Sequence, residues 1–332
     1  MSILVLVTGY GGFLGSAICR QLVERGYRVR GIARSEYSAA KSLGVETIRG
    51  SITNAEQCDQ AVQGVDGIVH TAALAGVWGP RADYESTNIR ATDQLIAAAR
   101  RHGVQAFVHT SSPSVTFDGR PQSGIDESSP YPTRWLCDYP RTKAISEQRV
   151  LQSNQSGTLS TCALRPHLIW GVGDPHLIPR VIERCRSHRL RCVGDGTNRI
   201  DTVHVENAAK AHVLALQKML AHDDQASGRS YFITDDEPIA CWDWIATILK
   251  CASMTPPNRR ISLRLAYSLG VVLEGIYGAL RIRREPPMTR FVALQLGVDH
   301  FFDISAAKQR LGYQPARDRP ARIEELARWL RG

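Results

Sequence analysis

The apolar run Ile3-Leu-Val-Leu-Val7 passes directly into Thr8-Gly-Tyr-Gly-Gly-Phe-Leu-Gly15, which carries four glycines in eight residues. Glycine inside regular structure costs conformational entropy, so such a cluster needs a geometric reason. The run reads as a strand, and Phe13, Leu14, Ala17, Ile18 and Leu22 recur behind it at helical spacing. Gly9, Gly12 and Gly15 then occupy the turn between a strand and a helix N-terminus. Lacking side chains, they would let a pyrophosphate approach the free amides of the first helical turn. The spacing is G-x-x-G-x-x-G and not the commoner G-x-G-x-x-G, and a tight turn without a ligand would use the same residues.

Further along, strand-like and helical runs alternate. Strands are predicted at 29–33, 46–49, 67–71, 106–110 and 159–164, with helices near 54–62, 84–101 and 139–152. That alternation implies an α/β fold, a doubly wound Rossmann-type parallel sheet with helices on both faces, over residues 1–165. Beyond Pro166, loops rich in Gly, Pro and Arg interrupt the pattern. Residues 166–332 are therefore expected to form a smaller, discontinuous substrate domain. A helix and a strand from about 203–235 should return to the first domain.

At 332 residues the chain is long enough for a large core, and no apolar run reaches the roughly 20 residues of a membrane span. The first Met leads straight into a strand with no basic, apolar leader, so a cytoplasmic protein is expected. Eight cysteines show neither C-x-x-C pairs nor metal-ligand spacing; they read as free, mostly buried thiols, and no metal site is expected. The net charge of +9 comes mainly from arginines scattered along the chain. Nucleic-acid binding would call for a clustered basic stripe with interleaved aromatics. Scattered arginine suits anionic small molecules or an anionic membrane surface better.

The stretch Asp138-Tyr-Pro-Arg-Thr-Lys-Ala-Ile-Ser-Glu-Gln148 places Tyr139 and Lys143 four apart, on one face of a helix. A free tyrosine, with a pKa near 10, is a poor proton donor or acceptor at neutral pH. A nearby ammonium favours the phenolate and makes it usable as an acid or base. Upstream, the strand 106–110 delivers Ser111 and Ser112 to the carboxyl end of a parallel sheet, where α/β sites form. A serine hydroxyl there can hold a substrate carbonyl oxygen beside Tyr139.

Taken together, Thr8–Gly15, His70-Thr-Ala-Ala73, Asn88, the Ser and Tyr-x-x-x-Lys set, and Leu164-Arg-Pro-His-Leu-Ile-Trp-Gly-Val-Gly-Asp174 resemble the extended short-chain dehydrogenases/reductases. Within them the chain is similar to the 3β-hydroxysteroid dehydrogenase branch. It resembles most closely the bacterial 2-alkyl-3-oxoalkanoate reductases of long-chain olefin biosynthesis. The resemblance implies Ser112, Tyr139 and Lys143 as catalytic residues, and a homodimer. It places the cofactor against Gly9, Gly12, Phe13, Leu14 and Gly15, then Arg34, Ser35, Ser51 and Ile52. Thr71, Ala72, Ala73, Tyr139, Lys143, Pro166 and His167 complete that surface. Two departures stand out. Gly50-Ser51 replaces the Gly-Asp that many relatives use against adenine. Ile200 occupies the position where nucleotide-sugar epimerases of this fold carry an arginine for the diphosphate, with Arg199 beside it.

The second strand ends in Ala33, where NAD-specific relatives carry an acidic residue for the ribose 2′-hydroxyl, and Arg34-Ser35 follow. A guanidinium suits a 2′-phosphate, so NADPH is expected over NADH. The implied activity is NADP(H)-dependent reduction of a ketone, or oxidation of a secondary alcohol, on a long apolar small molecule such as a 2-alkyl-3-oxoalkanoate. The alternatives are a 3β-hydroxysteroid or sterol dehydrogenase, a nucleotide-sugar epimerase or dehydratase, and a non-catalytic NADP-sensing regulator. His70 and His109 are read as packed strand residues, and Asn88 as a tie between backbone segments. Trp78, Leu269 and Leu273 are candidates for apolar contact with substrate. Residues 265–284 form an apolar helical stripe ending in Arg281, Arg283 and Arg284. Three roles fit it: a buried core helix, a wall or lid of a substrate tunnel, or a peripheral membrane contact.

Overall fold

The computed structural model describes residues 2–332. Seven strands form one parallel sheet: β1 (Leu4–Thr8), β2 (Arg28–Ala33), β3 (Glu46–Arg49), β4 (Gly67–His70), β5 (Ala106–Thr110), β6 (Ser160–Pro166) and β7 (Arg229–Ile233). Their spatial order is β7-β6-β5-β4-β1-β2-β3. The order reverses between β1 and β4, and the crevice at such a switch point is where open α/β sheets bind ligands.

The central strands read as unbroken apolar runs because both faces are covered. Along β1 the side chains alternate between the two faces. Val5 and Val7 pack with Leu14, Ile18 and Leu22 of α1 (Phe13–Glu24), whereas Leu4 and Leu6 meet Ala61 and Val62 of α2 (Ala55–Val62) and Leu95 of α3 (Ala91–Arg101). The helix α4 (Asp138–Gln152) lies on the latter face through Val150.

The chain continues through α5 (Leu177–Arg186), α6 (Val205–Leu220), α7 (Cys241–Cys251), α8 (Leu263–Ala279), α9 (Arg290–Gly297) and α10 (Arg319–Arg331). Of these, α6 and β7 return to the central sheet, β7 pairing with β6 and α6 packing its alanine-rich face against α1. A separate core gathers Ile178 and Ile182 of α5, Ile248 of α7 and Leu326 of α10 around Trp170 and Trp244, whose rings lie 4.8 Å apart. A short strand, Gln122–Ile125, pairs in parallel with His300–Phe302 and draws the late chain to the mouth of the sheet. Period-two patterning had not singled out either segment.

Two regions differ in detail from expectation. The helix expected over 84–101 is Arg81–Tyr84, a wider π-helical turn at Glu85–Arg90, and then α3. That turn carries the buried Asn88, and such turns cluster at functional sites. The apolar stripe beyond residue 263 is not a core helix. Only Ala266 and Gly270 of α8 are buried, because small residues let α8 lie close on the start of α9 while its large side chains point outward. No helix among the described residues is long and apolar enough to cross a membrane.

Candidate active site

Sixteen residues proposed from sequence for the cofactor, together with Ser112, line one cavity of about 950 Å³ at the switch point. Its floor is built by backbone geometry. Gly9 has φ +70, a left-handed conformation that favours glycine, and its carbonyl accepts the Gly12 amide at 2.9 Å. A Cβ at Gly15 would stand 2.2 Å from the Gly9 carbonyl oxygen, so only glycine allows the helix to start this close to the turn. No side chain caps α1, which leaves its first amides and positive dipole end facing the cavity. Thr8 and Thr71 hold the crevice in shape: Thr71 Oγ1 donates to the Thr8 carbonyl at 2.7 Å, and the Ala72 amide donates to Thr8 Oγ1 at 3.2 Å.

The adenosine side of the cavity follows from β2 and β3. Arg34 and Ser35 are exposed at the end of β2, and the Arg34 guanidinium makes no ion pair with any described residue. The Ser51 amide, at the position where many relatives place an aspartate, is taken by Gln57 Oε1 at 2.8 Å, and Ile52 beside it gives the cavity an apolar wall. A glycine cradle, an uncapped helix start, a free guanidinium and an apolar flank together fit a nicotinamide dinucleotide.

Tyr139 and Lys143 project from the first turns of α4 into the opposite end of the cavity. Burial pushes the Tyr139 phenol above its ordinary value, and a hydrogen bond with Ser112 pulls it back. Lys143 Nζ donates to the Thr110 carbonyl at 2.6 Å. Burial brings Lys143 itself down to about 8, with Glu147 acting the other way. Ser112 Oγ lies 2.9 Å from Ser114 Oγ, whereas Ser111 Oγ is buried without a partner. The structure therefore sets Ser112, not Ser111, beside the phenol.

The histidines and Asn88 act as braces. His70 joins Thr8 Oγ1 at 2.7 Å to Thr92 Oγ1 at 3.1 Å, and His109 Nε2 lies 3.4 Å from Lys143 Nζ beneath the site. Asn88 accepts the Leu74 amide at 2.7 Å and donates to the Leu74 carbonyl and Thr142 Oγ1, each at 3.1 Å. It thus ties the loop after β4 to α4.

His167 reaches the cavity just after Pro166. Its Nε2 is 2.6 Å from His300 Nδ1, and His300 Nε2 is 2.7 Å from the Gln295 carbonyl. A carbonyl only accepts, so His300 donates from Nε2 and His167 donates to His300. The lone pair of His167 Nδ1 is then left for a ligand. Burial and the neighbouring His300 hold His167 well below its usual value, and burial lowers His300 to about 4. Both rings are neutral at pH 7.

The family described as the 3-beta hydroxysteroid dehydrogenase/isomerase family matches residues 6–265. The chain belongs to that family. The 2-alkyl-3-oxoalkanoate reductase of Shewanella oneidensis is 46% identical over 313 residues, covering 92% of this chain and 81% of that protein. A 2-alkyl-3-oxoalkanoate reductase of Stenotrophomonas maltophilia is 44% identical over 313 residues, covering 94% of each. Among solved structures, UDP-glucuronic acid 4-epimerase from Bacillus cereus in complex with NAD superposes with a TM-score of 0.76 at 22% identity, covering 99% of each chain. Like other members of the 3-beta hydroxysteroid dehydrogenase/isomerase family, the chain is an NAD(P)-dependent oxidoreductase acting on CH–OH groups.

Three sequence candidates fall outside the cavity wall. Trp78 turns away, its indole N–H donating to the Ile282 carbonyl at 2.9 Å and its ring edge-on to Tyr277. Leu269 is 42% exposed, and Leu273 is half-buried on the outer layer formed by α8. The tunnel-wall role fails because α9 lies between α8 and the cavity. The wall there is Phe291 and Gln295 of α9, with Phe302, Leu168, Ile169 and Leu177. Sequence reasoning missed α9. Its signal was available: Thr289 caps an eight-residue helix, and Phe291 and Gln295 stand four apart on one face.

Proposed function

We propose that the chain reduces the ketone of a 2-alkyl-3-oxoalkanoate to the 3-hydroxy acid, with NADPH as cofactor, Ser112, Tyr139 and Lys143 as catalytic residues, and a homodimer as the working form. One observation carries this reading. The Ser112–Tyr139 pair faces the same cavity as the glycine turn and Arg34, and an apolar wall of Phe291, Phe302, Leu168 and Ile169 lies beyond it. The relatives from Shewanella and Stenotrophomonas carry the name of that activity.

A nicotinamide cofactor held in this cavity would supply the hydride that the carbonyl carbon accepts. The Ser112 hydroxyl donates a hydrogen bond to the carbonyl oxygen and orients it towards Tyr139. Tyr139, kept protonated by burial, gives its proton to that oxygen as negative charge develops there. Lys143, charged at neutral pH, stabilises the phenolate that remains. Arg34 would hold a 2′-phosphate, and the free amides of α1 would hold the pyrophosphate. His167 Nδ1, left with a free lone pair, would accept a hydrogen bond from the cofactor's carboxamide.

Sugar-nucleotide chemistry fits the site less well. Ile200 is buried, and Arg199 leans over Phe301 and donates to the Pro238 carbonyl at 3.2 Å, away from the cavity. Oxidation of a 3β-hydroxysteroid would run the same residues in reverse. Steady-state NADPH oxidation with β-ketoacids of graded chain length, ketosteroids and nucleotide sugars tests the reading. Turnover should be greatest with long-chain 2-alkyl-β-ketoacids. Preference for a ketosteroid or a nucleotide sugar would overturn the substrate, and a monomer by light scattering would overturn the dimer.

A further inference from the structure

The outer face of α8 is an unusual surface for a water-soluble fold. Leu265 (60%), Leu269 (42%), Val272 (56%), Ile276 (47%) and Leu280 (67%) are exposed along one stripe, with Val271 (46%) beside it. Folded chains rarely leave contiguous apolar patches of this kind bare unless they meet something. The charge around the patch has one sign. Within α8 the only acid, Glu274, is turned inward and accepts from the Arg290 amide at 2.6 Å and its Nε at 2.7 Å. Exposed cations flank the stripe at both ends: Arg264 in the first turn, then Arg281, Arg283 and Arg284 just beyond the last. The nearby Glu285 is already paired with Arg180.

We propose that this face docks on a bilayer containing anionic lipid. The apolar stripe would enter the headgroup–acyl boundary to a depth of about 5–10 Å, and the arginines would meet lipid phosphates. The same charge pattern disfavours a second copy as occupant. A two-fold contact along the stripe would bring one arginine rim against the other, like charge on like. The location also suits a long-chain substrate. Just beyond α8 the Ile282 carbonyl accepts from the Trp78 indole, and the loop leading to Trp78 lines the cavity at Ala73, Leu74 and Ala75. Directly beneath α8, α9 supplies Phe291 and Gln295 to the cavity wall.

The surface is argued independently of the reductase reading, and its test needs neither cofactor nor substrate. The intact protein is floated with vesicles of phosphatidylcholine alone and with vesicles containing about 30% phosphatidylglycerol. It should float with the anionic vesicles at least tenfold more than with the neutral ones. The variant Leu265→Ser/Val272→Ser/Ile276→Ser should lose at least tenfold of that partition while its thermal unfolding is unchanged. The variant Arg281→Ser/Arg283→Ser/Arg284→Ser should fall to the neutral-vesicle level. Wild-type protein that ignores anionic vesicles, or an apolar variant that floats as wild type, overturns the proposal. So does an apolar variant whose mass by light scattering drops while flotation is unchanged, because the face would then join two copies. Turnover of 2-alkyl-β-ketoacids of graded chain length, measured without vesicles in the same preparations, separates the two readings. Flotation without turnover retains the docking face and removes the reductase; turnover without flotation does the opposite.

Discussion

Two apolar helices in this chain meet opposite fates. Ten of the sixteen residues of α6 are buried, including Ala208, Ala211, Ala215, Leu216 and Met219, whereas only Ala266 and Gly270 of the seventeen in α8 are. Both present apolar residues at helical spacing. The difference lies in which residues face the protein. In α6 the inward face is alanine-rich and lies close on α1 and the sheet, with Leu216 filling the gap over Gly67, where a Cβ would come within 2.8 Å of it. In α8 small residues again make the close approach, at Gly270 against Thr289 and Arg290, but the large ones point away. An apolar stripe therefore states that a face is to be covered without stating by what.

The largest effect expected lies in the half of the molecule built around the sheet. Replacing Tyr139 with Phe removes only the hydroxyl paired with Ser112, and general acid catalysis is typically worth about 10²–10⁴-fold. Turnover should fall by that range while NADPH binding, followed by fluorescence, changes little. Retention of more than about a third of wild-type turnover would remove Tyr139 from the role of acid. Next, Leu216→Ala empties a fully buried site on α6 and should cost about 2–5 kcal/mol in denaturant unfolding. A cost below about 0.5 kcal/mol would mean that the two helices do not differ energetically as their burial implies.

Arg34 sharpens the cofactor end. Its guanidinium faces the cavity without an acidic partner, and a charged hydrogen bond contributes about 1.5–3 kcal/mol. NADPH should be preferred over NADH, and Arg34→Ala should narrow that preference roughly ten-fold or more, measured as the ratio of kcat/KM values. Equal use of the two cofactors by the wild type would refute the assignment.

The pH profile separates the buried groups. Lys143, lowered to about 8 by burial, is charged below that value and neutral above it. In the proposed mechanism, the charge that would support the phenolate is lost on the alkaline side. Reduction, as kcat/KM, should be level from about pH 6 to 7.5 and fall up to tenfold per pH unit beyond about 8. Neither His167 nor His300 should add an inflection near 6.5, because both are held neutral there. The same shift affects stability. A lysine whose folded value is depressed binds fewer protons than the unfolded chain between about pH 8 and 10.5, so its contribution makes the fold more stable as pH rises through that window.

Legibility followed the range of the forces involved. The glycine turn, the strands at 46–49 and 106–110, and the Tyr139–Lys143 pair depend on backbone geometry and spacing within a few residues, and each was readable from the chain. The seventeen candidates lie around one cavity because parallel strands deliver their carboxyl ends to a common edge. Phe291, Gln295 and His300 were missed because their place depends on a strand pairing between residues 122–125 and 300–302, far apart in sequence. Trp78, Leu269 and Leu273 were misplaced for a related reason. Hydrophobicity identified them as contact residues, and only the packing of α9 under α8 decides that the contact is not with the cavity.

The smallest expected effect is the most direct test of the opening contrast. Val272→Ala removes two methyl groups from a side chain of α8 that is 56% exposed, so little burial is lost and no cavity is made. Alanine also has the higher helix propensity, by about half a kcal/mol, since valine loses rotamer freedom against the preceding turn. The two terms oppose each other, and unfolding free energy should change by no more than about 0.5 kcal/mol, on the stabilising side if propensity dominates. Denaturant melts of Val272→Ala and Leu216→Ala, measured in the same buffer without lipid, give the comparison directly. A loss above about 1.5 kcal/mol at Val272 would show that the outer face of α8 is already covered in solution. Adding anionic vesicles to the same pair extends the test. If the face docks, wild type gains apparent stability by mass action while Val272→Ala gains less, and Leu216→Ala gains as much as wild type.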